Sequence, residues 1–123
     1  MDMTQAGEYE GFVQALRWTL KHLYDPAELR QSPLLPILVP NASSDGASRL
    51  RTILTDAVEK LQPAPGIPSQ ANLWRIYHVM RQRYVEHFTQ QEVATNLAIS
   101  KRQLARLETA GLQSLADSLW ARH

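Results

Sequence analysis

The chain has 123 residues, a formal net charge of +1, 44% hydrophobic residues and no cysteine. This composition is ordinary for one globular domain with a hydrophobic core, and the lack of cysteine excludes a disulfide scaffold and a thiolate metal site. No apolar run approaches the roughly twenty residues that span a bilayer, and the acidic, polar N-terminus is unlike a signal peptide. We therefore expect a cytoplasmic protein with no membrane segment, folded as a single domain over residues 1–123.

The N-terminal part, residues 1–61, is predicted to be helical. Apolar side chains at three- and four-residue steps predict a first helix from near residue 8 to residue 23 or 24. Asp25 and Pro26 are typical of an N-cap and a first helical residue. A second helix of about two turns should therefore follow and end by Ser32.

Two further helical pieces complete the N-terminal part. A short one over residues 34–38, interrupted by Pro36, leads into a loop over residues 40–46. The next helix, residues 47–61, has an apolar stripe with the spacing of the first helix. We expect these two long helices to pack together in a first core.

Residues 62–70 are the clearest break in the chain. They contain three prolines and one glycine, which exclude a helix and favour an exposed, extended connector. Because only about fifty residues follow it, the parts on either side, residues 1–61 and 71–123, are expected to share one core.

The helix after the connector, residues 71–87, is apolar on two flanks, which predicts a central position. His87 falls on its apolar stripe and is expected to be packed there rather than to bind a metal. The main stripe consists of Leu73, Ile76, Tyr77, Met80, Tyr84 and Phe88. The solvent face is left to Arg75, His78, Gln82 and Glu86.

Residues 89–107 contain two helix starts of the same kind. Thr89 and Ser100 are good N-caps, and each is followed three residues later by Glu or Gln, the pattern of a capping box. The first helix therefore covers about Gln90 to Leu97, and a tight turn leads directly into the second. Two short helices joined this tightly cross steeply, which is the helix-turn-helix arrangement.

The apolar positions of this segment agree with that crossing. Val93, Ala94 and Leu97 form one face of the first helix. Leu104 and Leu107 form the corresponding face of the second, and the stripe continues almost to the end of the chain. The second helix therefore either runs from Lys101 through Gly111, which would allow close approach by another helix, or breaks at Gly111.

This segment resembles the DNA-binding helix-turn-helix of bacterial transcription regulators and of the last domain of sigma factors. The resemblance covers about nineteen residues and lies in residues 91–94, residues 97–100 and Leu104. The departure is Ala98, where the family usually has glycine in the turn. Because a non-glycine residue at positive φ is costly, a slightly remodelled turn is expected.

The resemblance implies DNA binding in bacterial-type transcription control, with double-stranded DNA as the partner. The second helix would enter the major groove by its N-terminal residues. Lys101 and Arg102 would read guanine or bind phosphate, and Arg106 would contact backbone or bases. By position, the residues facing DNA are Gln90, Gln91, Ser100, Lys101, Arg102, Ala105, Arg106 and Thr109.

The charge distribution gives this interpretation mild support. Residues 1–71 carry six Lys or Arg and eight Asp or Glu, a balance of −2, whereas residues 72–123 carry seven and four, a balance of +3. The positive balance of the C-terminal part is the right sign for binding a polyanion. A strong phosphate binder, however, normally has a larger excess of positive charge.

The alternative function is a helical protein-interaction or signalling adaptor in which the helix-turn-helix is only a scaffold. The weak charge excess and the acidic Glu108 among the cations favour it. A continuous positive face over Lys101, Arg102, Arg106 and the arginines of the preceding helix would favour DNA. A neutral or apolar face would favour a protein partner.

The expected fold class is all-α, with five to seven helices in an orthogonal bundle and a C-terminal helix-turn-helix. Leu115, Leu119 and Trp120 are the candidate surface for a homodimer, because regulators with one such unit usually dimerise. The apolar pattern continues to the chain end without a stop signal, so the chain is expected to be part of a longer protein or to dock on a partner.

No enzymatic chemistry is predicted. The four histidines lack a metal-ligand spacing, the five glycines are scattered rather than grouped as a phosphate loop, and no nucleophile motif is present. We therefore expect no catalytic residue, no cofactor and no metal site.

Overall fold

The computed structural model describes residues 2–122, and the account of side chains covers residues 7–121. Over residues 2–122 all regular secondary structure is helical, as predicted, with seven α-helices, one π-helical segment and no strand. None of the helices in this range combines the length and the apolar content that crossing a membrane requires. The helices are α1 (Asp2–Lys21), α2 (Pro26–Arg30), α3 (Leu35–Leu38), α4 (Gly46–Glu59), α5 (Asn72–Met80), α6 (Gln90–Leu97) and α7 (Lys101–Arg122).

Helix α1 begins at Asp2, earlier than the predicted start near residue 8. Its apolar stripe begins only at Phe12, and helical hydrogen bonding can extend through polar residues that no apolar pattern marks. The predicted stripe is confirmed, since Phe12, Leu16 and Leu20 are buried in the main core.

The short helix α2 begins at a side-chain cap, whereas α3 begins without one, and both have a proline in their first turn. The Asp25 carboxylate accepts a hydrogen bond from the Glu28 N–H at 3.3 Å, and Pro26 is the first residue of α2. The predicted interruption at Pro36 is wrong. Pro36 lies in the first turn of α3, where its missing N–H has no helical partner to lose, so the helix continues to Leu38.

The main core joins the N-terminal helices to α7. Helix α4 contributes Leu50, Leu54 and Val58, which pack in one cluster with the α1 stripe and with Leu115 and Leu119 of α7. Residues before and after the proline-rich segment therefore bury their apolar side chains together, as expected.

The proline-rich segment, residues 62–70, is non-helical and mostly exposed, as predicted. It is not fully extended, because it contains a turn in which the Ile67 N–H donates to the Ala64 carbonyl at 3.1 Å. The Trp74 indole N–H also donates to the Ile67 carbonyl, at 3.0 Å, and ties the segment to α5. These bonds shorten the path that an extended connector would take.

The predicted helix over residues 71–87 changes form before its end. Helix α5 stops at Met80, and Arg81–Val85 is a π-helical segment, in which the wider turn holds an extra residue and shifts the side chains that follow. His87 lies beyond the end of this segment, with φ of 64°, and is exposed rather than packed on the apolar stripe. Leu73 is 56% exposed, so its predicted place on the buried stripe is also wrong.

Helix α7 is unbroken through Gly111 and lies very close to α5. A Cβ atom on Gly111 would be 2.4 Å from Met80 Cγ and 3.2 Å from Ile76 Cγ2. The close approach predicted for this glycine is therefore present, and the alternative break at Gly111 is absent.

Candidate functional site

The start of α6 is fixed by a complete capping box. The Glu92 N–H donates to Thr89 Oγ1 at 3.1 Å, and the Thr89 N–H donates to Glu92 Oε1 at 2.8 Å. Two N–H groups that a helix start leaves without partners are thereby satisfied. Helix α6 spans Gln90–Leu97, as the sequence predicted.

The turn between α6 and α7 is left-handed at Ala98, with φ of 55° and ψ of 48°. Ala98 thus takes the conformation that glycine takes most easily, and the expectation of a remodelled turn is wrong. Such a conformation costs an L-residue about 1–2 kcal/mol. The Ile99 N–H donates to the Ala94 carbonyl at 3.0 Å, and the Ile99 side chain packs on a second apolar cluster, which together hold the turn.

The second helix start has half of the predicted capping box. The Gln103 N–H donates to Ser100 Oγ at 3.0 Å. Within the described residues, the Gln103 side chain makes no return bond to the Ser100 N–H. The serine alone caps α7, which is sufficient to start the helix.

The second apolar cluster holds α6 against α7. Leu104 and Leu107 of α7 are buried in it with Val93 and Ala94 of α6, as predicted. Val79 of α5 is fully buried in the same cluster, although it lies outside the predicted apolar stripe. The pair of helices therefore rests on α5, and its apolar faces point inward.

The eight residues predicted to face DNA are all exposed. The cations Lys101, Arg102 and Arg106 make no hydrogen bond or ion pair with any residue that the structure describes. Helical spacing puts them on the side of α7 away from Leu104 and Leu107. The exposed set is Gln90, Gln91, Ser100, Lys101, Arg102, Ala105, Arg106 and Thr109.

The arginines of the π-helical segment do not extend this cationic face. Arg81 binds Glu59, with Nε 3.0 Å from Oε2, and also contacts the Glu86 carboxylate. Arg83 Nε lies 3.6 Å from Glu108 Oε1 in a largely buried pair. Both guanidinium groups therefore have their charge compensated within the chain.

Glu108 is buried, with 9% of its surface exposed, and does not oppose the exposed cations. Its Oε2 accepts a 2.5 Å hydrogen bond from the Tyr84 hydroxyl. Burial raises the pKa of Tyr84 far above its ordinary value of 10, and the hydrogen bond to Glu108 adds to the shift. The signal in the sequence is spacing, because Glu108 lies four residues after Leu104 and three before Gly111 on the inward side of α7.

The predicted homodimer surface is not available. Leu115 and Leu119 are each 1% exposed and belong to the main core. Trp120 is partly buried and packs edge-on against Phe12, with ring centroids 5.2 Å apart. Because the chain itself covers the two leucines, they are not available to a second copy, and dimerisation as such stays a prediction.

Comparisons with protein-family models, with curated proteins and with solved structures give no match. Among the described residues, no three histidine, aspartate or glutamate side chains are grouped as metal ligands. The fold and the site define an all-α protein with an exposed, unpaired cationic face on α7. A function must therefore be argued from this geometry.

Proposed function

We propose that the chain binds double-stranded DNA, in bacterial-type transcription control, with α6 and α7 acting as a helix-turn-helix within an orthogonal bundle. The N-terminal residues of α7 would enter the major groove. The observation that carries the proposal is the left-handed turn at Ala98 between two capped helices, combined with outward exposure of every residue expected to meet DNA.

The charges on α7 support this function. Lys101, Arg102 and Arg106 are exposed and unpaired among the described residues, so binding phosphate or guanine would break no existing ion pair. The burial of Glu108 against Arg83 removes an acidic side chain from the same surface. The presence of Glu108 among the cations was an argument for the adaptor function, and the burial of this residue weakens that argument.

Helix α6 would contribute phosphate contacts at its start. The N–H groups in the first turn of a helix lack intrahelical acceptors and favour an anion. Gln90 and Gln91 occupy that turn, and their side chains are exposed. Their amides and backbone would position the protein on the duplex without reading its sequence.

A specific observation keeps the alternative function, a protein-interaction adaptor, in consideration. The pairing of Arg81 with Glu59 and of Arg83 with Glu108 leaves the π-helical segment, which precedes α6, without an unpaired arginine. The positive face is therefore smaller than a DNA-binding surface built from both segments would be. A protein partner needs no extended positive face.

Selection of bound sequences from a random pool of double-stranded DNA tests the proposal. The parent chain should enrich a defined sequence, and a variant with Arg102→Ala and Arg106→Ala should not. The matched control carries Arg30→Ala and Arg49→Ala, which remove the same charge from exposed positions on α2 and α4. Failure of the parent to enrich any sequence, or equal enrichment by both variants, would favour the adaptor.

A further inference from the structure

A cleft separates α1 from the α6–α7 pair, directly beside the proposed DNA-binding face. Arg17 of α1 is exposed at this cleft and makes no hydrogen bond or ion pair with the residues that the structure describes. Gln90, Ala105 and Thr109, all predicted to face DNA, line the same cleft. The full lining is Arg17, Tyr84, Gln90, Ala105, Glu108, Thr109 and Leu112.

The position of Arg17 is set by the packing of α1 along α7. The Tyr9 hydroxyl donates to the Asp117 carboxylate and accepts from the Gln113 amide. One turn further along α1, Phe12 contacts the Trp120 ring and is buried in the main core. Arg17 follows on the same rigid helix, so its backbone is held in place next to α7.

The negative charge of Glu108 inside the cleft is compensated, but the positive charge of Arg17 at its edge is not. Glu108 has Arg83 Nε at 3.6 Å and the Tyr84 hydroxyl at 2.5 Å. Glu108 is the one carboxylate among the residues that line the cleft, and because Arg83 balances its charge, the exposed Arg17 guanidinium adds a net positive charge there. With the Gln90 amide and the Thr109 hydroxyl, it offers donors from three separate elements, which suit the oxygens of a phosphate group.

The position of the cleft along α7 indicates which part of a duplex it would meet. Ser100 and Thr109 are nine residues apart, or about 13.5 Å along the helix. The major groove of B-DNA is about 12 Å wide. With the start of α7 against the bases, the Thr109 end would lie at a wall of the groove, where the phosphates are.

We propose that Arg17 of α1 binds a backbone phosphate of the same duplex that α7 reads, through the cleft it shares with Gln90 and Thr109. This inference rests on the proposed function and deepens it. Helix α1, whose Arg17 precedes Gln90 of α6 by 73 residues in the sequence, becomes part of the nucleic-acid interface. Its contact positions the protein and carries no sequence preference.

The salt dependence of DNA binding tests the role of Arg17. The probe is a labelled random-sequence duplex about two helical turns long, measured by fluorescence anisotropy over about 50–200 mM salt. Arg17→Ala should reduce the slope of log K against log salt by about 0.9, so the loss of affinity over that fourfold range becomes about 3.5-fold smaller. Arg17→Lys, which keeps the charge, should retain most of the parent slope.

Arg49→Ala is the matched control, because Arg49 is exposed on α4 and is not among the residues that line the cleft. Its slope should equal that of the parent. If Arg17→Ala also keeps the parent slope while Arg102→Ala lowers it, Arg17 does not contact DNA and the proposed function stands. If the parent fails to bind the duplex at every salt concentration, the proposed function fails and this inference with it.

A second arm distinguishes a DNA phosphate from a free anion. Inorganic phosphate is titrated against chloride at equal ionic strength, and the Gln90 and Thr109 amide signals are followed by NMR. Small chemical-shift changes that do not saturate, together with a reduced slope of log K against log salt for the duplex, support the DNA contact. Saturable binding of inorganic phosphate that Arg17→Ala abolishes, without any change in the duplex slope, would overturn it in favour of a small-anion site.

Discussion

The Tyr84 hydroxyl donates a 2.5 Å hydrogen bond to Glu108 Oε2, joining the π-helical segment to the middle of α7. Arg83, the neighbouring residue in that segment, lies over the Tyr84 ring and pairs with the other oxygen of the same carboxylate. The π-helical turn is what brings both side chains to Glu108. This buried group therefore orients α7, and with it the cationic face, relative to the rest of the protein.

Tyr84→Phe should reduce the free energy of unfolding by about 1–3 kcal/mol, because it leaves a buried carboxylate oxygen without its donor. Urea denaturation at neutral pH measures the change. Tyr24→Phe is the matched control, since it removes an exposed hydrogen bond to the Val85 carbonyl and should cost less. An equal effect of both substitutions would argue against a special role for the buried bond.

The free energy of unfolding should fall as the pH rises above about 10. Burial and a neighbouring carboxylate raise the pKa of Tyr84, and the same causes raise that of Tyr9 to about 12. Above pH 10 the folded state keeps protons that the unfolded state releases, so alkali favours unfolding. Urea denaturation between about pH 9 and 11 measures this, and Tyr84→Phe should make the dependence less steep, because Tyr9 and Tyr77 also have raised pKa values.

Gly111→Ala should destabilise the protein although alanine is the better helix former. The intrinsic gain of about 1 kcal/mol is opposed by about 1–3 kcal/mol of overpacking, because the new Cβ would lie 2.4 Å from Met80 Cγ. Gly11→Ala on α1 is the control. A Cβ there has no atom within 4 Å, so thermal denaturation should show stabilisation. A stabilised Gly111→Ala variant would mean that the Met80 side chain moves aside easily.

Ala98→Gly should stabilise the protein by up to about 1 kcal/mol, because glycine adopts the left-handed conformation without the penalty of an L-residue. Ala110→Gly, at an exposed position inside α7, should instead destabilise it by about 1 kcal/mol. Chemical denaturation of the two variants measures the contrast. Loss of stability in both would contradict the left-handed turn.

Replacing Arg102 and Arg106 with alanine should separate binding from stability. Each exposed substitution should change the free energy of unfolding by no more than about 0.5 kcal/mol. DNA binding should weaken by about 1–3 kcal/mol for a base-reading arginine. Leu104→Ala should instead reduce the free energy of unfolding by about 2–5 kcal/mol. DNA binding should then weaken only because the fold is lost. Titration of a selected duplex and urea denaturation measure the two quantities.

Local signals in the sequence determined the starts of α2 and α6. The capping box of Thr89 and Glu92 and the cap at Asp25 act within three residues of chain, so they were predictable without knowledge of the fold. The burial of Leu104 and the exposure of Arg102 followed from helical spacing alone. The caps and the helical spacing together predict where α6 begins and ends and which side chains of α7 face outward.

The tertiary structure decided what the spacing could not. The helical segment after Met80 ends at Val85, so His87 adopts a positive φ beyond it and lies off the predicted stripe. Glu108 and Arg17 acquired their surroundings from elements distant in the chain, and no local pattern encodes such contacts. Leu119 illustrates the physical reason, because an apolar stripe requires a cover but does not specify whether α1 or a second copy provides it.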